Sequence, residues 1–132
     1  MGYRSEVSII VGKKVDKKIA ALQKKFKKER EKCNVTENAV ANLDYFLGTR
    51  EVSKDGNFVR YNAYLKWNTE WGDPDYEGLA RLEKLVKKYA EKYDYAKGEE
   101  ASFVRLGESD EDREDLANTD LQGIGIVTSV QF

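Results

Sequence analysis

Phe58-Val59-Arg60-Tyr61-Asn62-Ala63-Tyr64-Leu65-Lys66-Trp67 decides how the rest of the chain is read. Val59, Tyr61, Ala63, Leu65 and Trp67 alternate with Phe58, Arg60, Asn62, Tyr64 and Lys66. Strict alternation of β-branched and aromatic residues predicts one long strand with a buried face. The second face is mixed, because Phe58 and Tyr64 share it with Arg60 and Lys66. Such a face suits a binding surface, and it equally suits a covered second face of the sheet.

Immediately upstream, Ser53-Lys54-Asp55-Gly56-Asn57 carries an Asp-Gly turn signal. Glycine supplies the positive φ that tight hairpin turns need. Leu43 to Val52 therefore reads as the partner strand of an antiparallel hairpin, with Gly48 as a bulge. Cys33 to Asn38 reads as a connection, with Thr36 as the cap of one short helical turn through Ala41.

Toward the N-terminus, Tyr3 to Val11 reads as the first strand. Ile9-Ile10-Val11 is apolar on both faces, as in the centre of a sheet. Lys14 to Lys32 follows as an amphipathic helix. Val15, Ile19, Leu22 and Phe26 form its apolar stripe, and lysines cover the remainder. Toward the C-terminus, Asp73-Pro74-Asp75 is a helix start: an N-cap, a proline for the first turn and an acid for the dipole. The stripe Tyr76, Leu79, Leu82, Val86, Tyr89, Ala90 and Tyr93 extends that helix to about Tyr93. Glu83 and Lys87 form an i,i+4 pair of favourable polarity. Ala101 to Leu106 reads as a strand, Gly107 to Asp120 as an acidic loop, and Gly123 to Phe132 as a last strand.

The expected class is α+β. The element order predicts a ferredoxin-like split βαβ arrangement, βαββαβ, with an extra C-terminal strand. Its antiparallel sheet would carry two helices on one face. Residues 1–132 fit one domain on size.

The 132 residues have a formal net charge of −1, so no global field selects a partner. The charge is nonetheless segregated. Lys13 to Lys32 holds ten basic residues against three acidic ones; Glu99 to Asp120 holds nine acidic residues against two basic ones. Segregation of this kind marks a binding surface or two solvated faces that complement each other. Lys17, Lys24 and Lys28 represent the basic helix.

There is no histidine, which removes triads that need an imidazole base and His-ligated zinc sites. The single cysteine, Cys33, forbids an intramolecular disulfide and fits a reducing interior. No apolar run has the length of a membrane span, and the N-terminus enters a strand-like pattern directly, so the cytoplasm is the expected location. Gly-rich phosphate loops, nucleophile elbows and metal-ligand spacings are missing. No catalytic residue and no cofactor or metal is expected.

Two surfaces remain. In the acidic stretch Glu108, Asp110, Glu111 and Asp112 face a basic partner or solvent. Asp110, Asp112 and Glu114 alternate as in a calcium loop, but the central glycine and the closing glutamate are missing. On the sheet, Phe58, Arg60, Tyr64 and Lys66 combine aromatic and basic groups, as in modules that stack bases and hold phosphates. Phe58-Val59-Arg60-Tyr61 matches only the tail of the RNP pattern. The same face suits a homodimer.

The opening Met1-Gly2-Tyr3-Arg4-Ser5-Glu6-Val7 and the segment Phe103-Val104-Arg105-Leu106-Gly107-Glu108-Ser109-Asp110-Glu111-Asp112 resemble small bacteriophage and prophage proteins. In those, a Gly-Tyr-Arg-Ser opening precedes a strand, and a Phe-Val-Arg-Ile-Gly-Glu strand runs into an acidic loop. The lysine-rich helix departs from that group. The resemblance implies a phage accessory protein, non-enzymatic, that binds a host protein stoichiometrically and inhibits it, as an anti-defence inhibitor does. A nucleotide- or RNA-binding module that uses the sheet face and the lysine helix is the alternative.

Overall fold

A computed structural model describes residues 3–70, 72–109, 111–118 and 132. The elements are β1 (Ser5–Gly12), α1 (Lys13–Glu31), α2 (Glu37–Leu47), β2 (Glu51–Val52), β3 (Phe58–Leu65), a 3-10 turn (Pro74–Tyr76), α3 (Glu77–Ala90), β4 (Ala101–Leu106) and β5 (Arg113–Ala117). The described strands form a five-stranded, open, antiparallel sheet in the order β2-β3-β1-β4-β5. The fold is α+β.

The alternation in β3 has the predicted sense. Val59, Tyr61, Ala63 and Leu65 are buried, and Trp67 beyond the strand end stays on the same side. Val59, Tyr61 and Ala63 pair with Val11, Ile9 and Val7 of β1, which pairs in turn with β4 through Ile9 and Phe103. These side chains meet Val15, Ile19 and Phe26 of α1, Ala39, Leu43 and Phe46 of α2, and Leu79, Leu82 and Val86 of α3 in one core. Phe46 stands edge-on to Trp67 at 5.1 Å. Burial of such side chains contributes about 1.5–3 kcal/mol each, so this shared layer is the main stabilising term.

Residues 43–47 correct the predicted strand Leu43–Val52. They complete α2, an eleven-residue helix, and leave only Glu51–Val52 as strand. Ala39, Leu43, Phe46 and Leu47 are all buried. That helical spacing places them on one stripe, whereas a strand would turn Leu43 and Phe46 to opposite faces. Thr36 Oγ1 accepts the Ala39 N–H at 3.0 Å, so the cap starts a full helix rather than one turn. Among the described residues the helical layer thus has three helices, not two. The hairpin turn survives: Ser53 N donates to the Phe58 carbonyl, and Gly56 adopts φ +77°.

Two further boundaries move. Asp73 caps the Pro74 turn by accepting the Asp75 N–H at 3.0 Å, but α3 ends at Ala90. Tyr93 is fully exposed instead of extending the apolar stripe. The chain turns there because the loop after α3 docks on the start of α1, where the Gly98 carbonyl accepts the Lys14 N–H at 2.9 Å. The second correction lies inside the expected acidic loop. Arg113–Ala117 form β5, paired with β4 from Leu106↔Arg113 to Ser102↔Ala117. An edge strand is held by backbone pairing on one side and does not need an apolar face. The expected last strand, Gly123–Phe132, lies outside the described residues apart from Phe132.

Candidate functional site

Each predicted patch has a different fate. On the sheet face away from the helices, β3 presents Arg60, Asn62 and Tyr64, with Phe58 at its start and Lys66 just beyond its end. Tyr64 is more than half exposed, and Phe58, Arg60 and Lys66 are partly buried. The guanidinium of Arg60 is ion-paired with Glu51 of β2 and stands 4.5 Å from the Phe132 ring centre. Across from these residues, Ser8, Ile10, Ser102 and Val104 are 7, 6, 2 and 1 % exposed. The middle of this face is therefore filled, and its reachable part is the strip around Tyr64.

The acidic stretch is a clamp. Arg105 of β4 grips Asp112 with both guanidinium ends, at 2.6 and 3.2 Å. Its Nε donates to Glu114 at 3.1 Å and its Nη1 to Ser5 Oγ at 3.1 Å. The Tyr3 hydroxyl donates to Asp112 and accepts the Glu108 N–H at 2.7 Å. Arg4 contributes its backbone N–H to Glu108 at 3.0 Å. Glu111 is exposed, and Asp110 lies outside the described residues.

From Glu114 the network continues to Lys87 of α3 at 2.7 Å, then to Glu83, which also accepts from Trp67 Nε1 at 2.6 Å and from Thr69 Oγ1. The predicted Glu83–Lys87 pair is thus one link of a longer chain that ties α3 to β5. Hydrogen bonds from Arg105 and Tyr3 hold the Asp112 carboxyl at about 2. Burial opposes ionisation of Glu114, but Lys87 and Arg105 outweigh it and keep that carboxyl below its ordinary range. Arg105 is raised, first by its bond to Asp112. A cleft of about 250 Å³ opens beside the clamp between Tyr3, Trp67 and Glu70. With both carboxylates held by cations, the arrangement holds the loop in place; of the calcium-like alternation, Asp112 and Glu114 are taken up by Arg105, Lys87 and Tyr3.

The basic helix is the most solvated patch. Lys17, Lys24 and Lys28 are exposed along α1, together with Lys13, Lys14, Lys18, Lys25 and Lys32. Among the described residues none of these eight lysines lies within ion-pair distance of a carboxylate. The cations of α1 that are paired lie nearer its packed sides: Lys27 with Asp44, and Arg30 with Glu37. Two of the three carboxylates of α1 likewise turn to other elements, Asp16 to Arg50 and Tyr61, and Glu29 to Arg81.

Sequence reasoning missed one feature. Tyr93 and Tyr95, on the loop after α3, stand over a cleft of about 620 Å³ whose other wall is Leu116, Ala117 and Asn118 of the β5 end. The cleft follows the sheet edge, and among the described residues no strand pairs with the outer side of β5. Asn118 braces it, donating through Nδ2 to the Tyr89 and Glu99 carbonyls and accepting the Ala101 N–H. The signal in the sequence was the pair Tyr93-Asp94-Tyr95 past the last buried residue of α3.

No protein-family model, no curated protein and no solved structure matches the chain. No helix among the described residues is long and apolar enough to cross a membrane.

Proposed function

We propose that the protein is a non-enzymatic interaction protein that binds a partner protein stoichiometrically along the β5 edge. The observation that carries this reading is the Tyr93–Tyr95 cleft beside a strand edge without a described partner. An edge strand offers backbone donors and acceptors to an added strand, and neighbouring pockets take its alternate side chains. Tyrosine is enriched among the residues that dominate protein interfaces. The resemblance of the opening and of Phe103–Asp112 to phage proteins supplies the class of partner: a host protein, met in the host cytoplasm and inhibited by occupancy, as an anti-defence protein would act. A nucleotide or RNA stacked on the sheet face is less favoured, because Ser8, Ile10, Ser102 and Val104 are already buried there.

The topology is read in the same spirit as a split βαβ, ferredoxin-like arrangement. Its support is the position of β3 between β1 and β2, with α1 and α2 in the first crossover and α3 in the second. The added α2, the two-residue β2 and the appended β5 are departures from the plain pattern.

The test is purification from a bacterial host, with light scattering and absorbance at 260 and 280 nm across the gel-filtration peak. The reading expects a defined complex with one host protein that persists in 0.5 M salt and is lost in Tyr93→Ser/Tyr95→Ser without loss of fold. A homodimer lost in the same variant would make the β5 edge a self-association surface. A lone monomer without a bound host protein, whatever its absorbance at 260 nm, would sink the proposal.

A further inference from the structure

We infer that the lysine ridge of α1 binds the phosphate backbone of double-stranded nucleic acid without reading its sequence. This surface is separate from the β5 edge, so either reading stands or falls alone.

The ridge is built by helical geometry. At about 100° per residue, Lys14, Lys18, Lys25, Lys28 and Lys32 fall within an arc of about 80°, and Lys13, Lys17 and Lys24 adjoin it. Only Ala21 interrupts the arc; of the two acids beside it, Glu29 is paired with Arg81, and Glu31 lies farther round, beside Lys13. The helix is 19 residues long, or roughly 28 Å. It lies on the outside of the molecule, because Val15, Ile19 and Phe26 hold its opposite side in the core. All eight lysines are exposed, and among the described residues none is within ion-pair distance of a carboxylate, although the Glu99 carboxylate lies near enough to Lys14 to feel its charge. A protein of net charge −1 therefore carries a strip of positive charge on one helix, while Asp16 and Glu29 of that helix are paired with other elements.

The chemistry of the strip selects the partner. A protein interface is depleted in lysine and anchored by aromatic and large apolar groups, and the ridge has none of these. A membrane-surface helix inserts its apolar face among lipids, but here that face is the protein core. Single-stranded nucleic acid is held by aromatic stacking, and no aromatic ring lies on the arc. What remains is a linear array of ammonium groups facing a linear array of phosphates, whose charges repeat about every 3.4 Å along each strand of a duplex. Lysine is a point charge without the planar fork that reads guanine, so base discrimination is not expected. The N-terminal amides of α1 add nothing, because the Gly98 carbonyl accepts those of Lys14 and Val15.

Binding then follows counterion release. If five lysines each neutralise one phosphate, the logarithmic salt slope is about −4.5, and affinity falls roughly 500-fold between 50 and 200 mM salt. The experiment is fluorescence anisotropy of the full chain with 30-base-pair duplexes of two unrelated sequences across that salt range. Lys18→Gln/Lys25→Gln/Lys28→Gln should lower the slope by about 3, with an unchanged circular dichroism spectrum, while Lys88→Gln on α3 should keep the wild-type slope. Equal affinity for the two duplexes is expected. No binding at 50 mM salt, or a slope that the triple variant leaves unchanged, overturns the inference. So does tighter binding to the single strand, to polyglutamate or to phosphatidylserine vesicles than to the duplex.

Discussion

Asp112 shows how one residue converts an acidic stretch into structure. Its carboxylate takes both ends of the Arg105 guanidinium and the Tyr3 hydroxyl, which joins the chain start, β4 and the loop before β5. Gly107 is part of the same fit, because a Cβ there would collide with Asp112 and the Tyr3 hydroxyl. The carboxyl is held at about 2, below the usual value near 3.9 of an unfolded aspartate. The folded state thus favours the ionised form, and this stabilisation is complete above about pH 5 and lost as the pH falls through about 2. Urea unfolding of the protein and of Asp112→Asn should show a stability gap at pH 6 that narrows steadily below pH 4 and closes near pH 2. A gap that stays constant with pH would mean that the charge of Asp112 is not the source of its effect.

Helix α2 is the element on which the local layout turns. Residues 43–47 contain enough apolar side chains to pass for a strand. What selects the helix is Thr36 at one end and the buried spacing Ala39, Leu43, Phe46, Leu47 along it. Thr36 does two things: it accepts the Ala39 N–H and donates to Asp75 at 2.9 Å, tying the start of α2 to the turn before α3. Gly78 lets the two helices close, since a Cβ at that position would come within 3.0 Å of the Ala39 carbonyl oxygen and of Leu43 Cβ. Thr36→Ala should cost about 1 kcal/mol in denaturant unfolding, and Thr36→Ser should recover most of it. An equal loss in both variants would place the effect in methyl packing instead of the cap. At the same scale, β5 shows why polar sequences can still be strands: Arg113-Glu114-Asp115 gains β4 hydrogen bonds at the edge of the described strands, where no burial is demanded.

Across the whole molecule, charge is sorted by role. Glu83, Asp112 and Glu114 are matched to Lys87 and Arg105, whereas among the described residues the ridge of α1 keeps its lysines without ion pairs. Unmatched like charges at helical spacing repel by a few tenths of a kcal/mol per pair, so the ridge works against the fold. Lys18→Gln/Lys25→Gln/Lys28→Gln should therefore keep or slightly raise the melting temperature at 10 mM salt, and the difference should vanish by 200 mM. A clear drop in stability would show that these lysines serve packing, which would remove the reason to see them as a binding surface.

Local pattern alone determined the parts of this protein where one face repeats. The alternation of β3, the stripe of α1, the Asp73-Pro74 start and the Gly56 turn were each legible, because neighbours in sequence carry the whole signal. The three charged and mixed patches were also visible, though not what each would do. The tertiary structure decided the rest. Residues 43–47 became helix because the Thr36 cap and a shared core outweighed a short apolar run. Tyr93 left its stripe because the loop after α3 docks on α1. The acidic loop became β5 and a clamp because Arg105 and Ser5, 100 residues apart, meet across adjacent strands. A long-range partner leaves no periodic mark in the sequence, so only packing could assign those carboxylates to structure and leave the lysines of α1 to solvent.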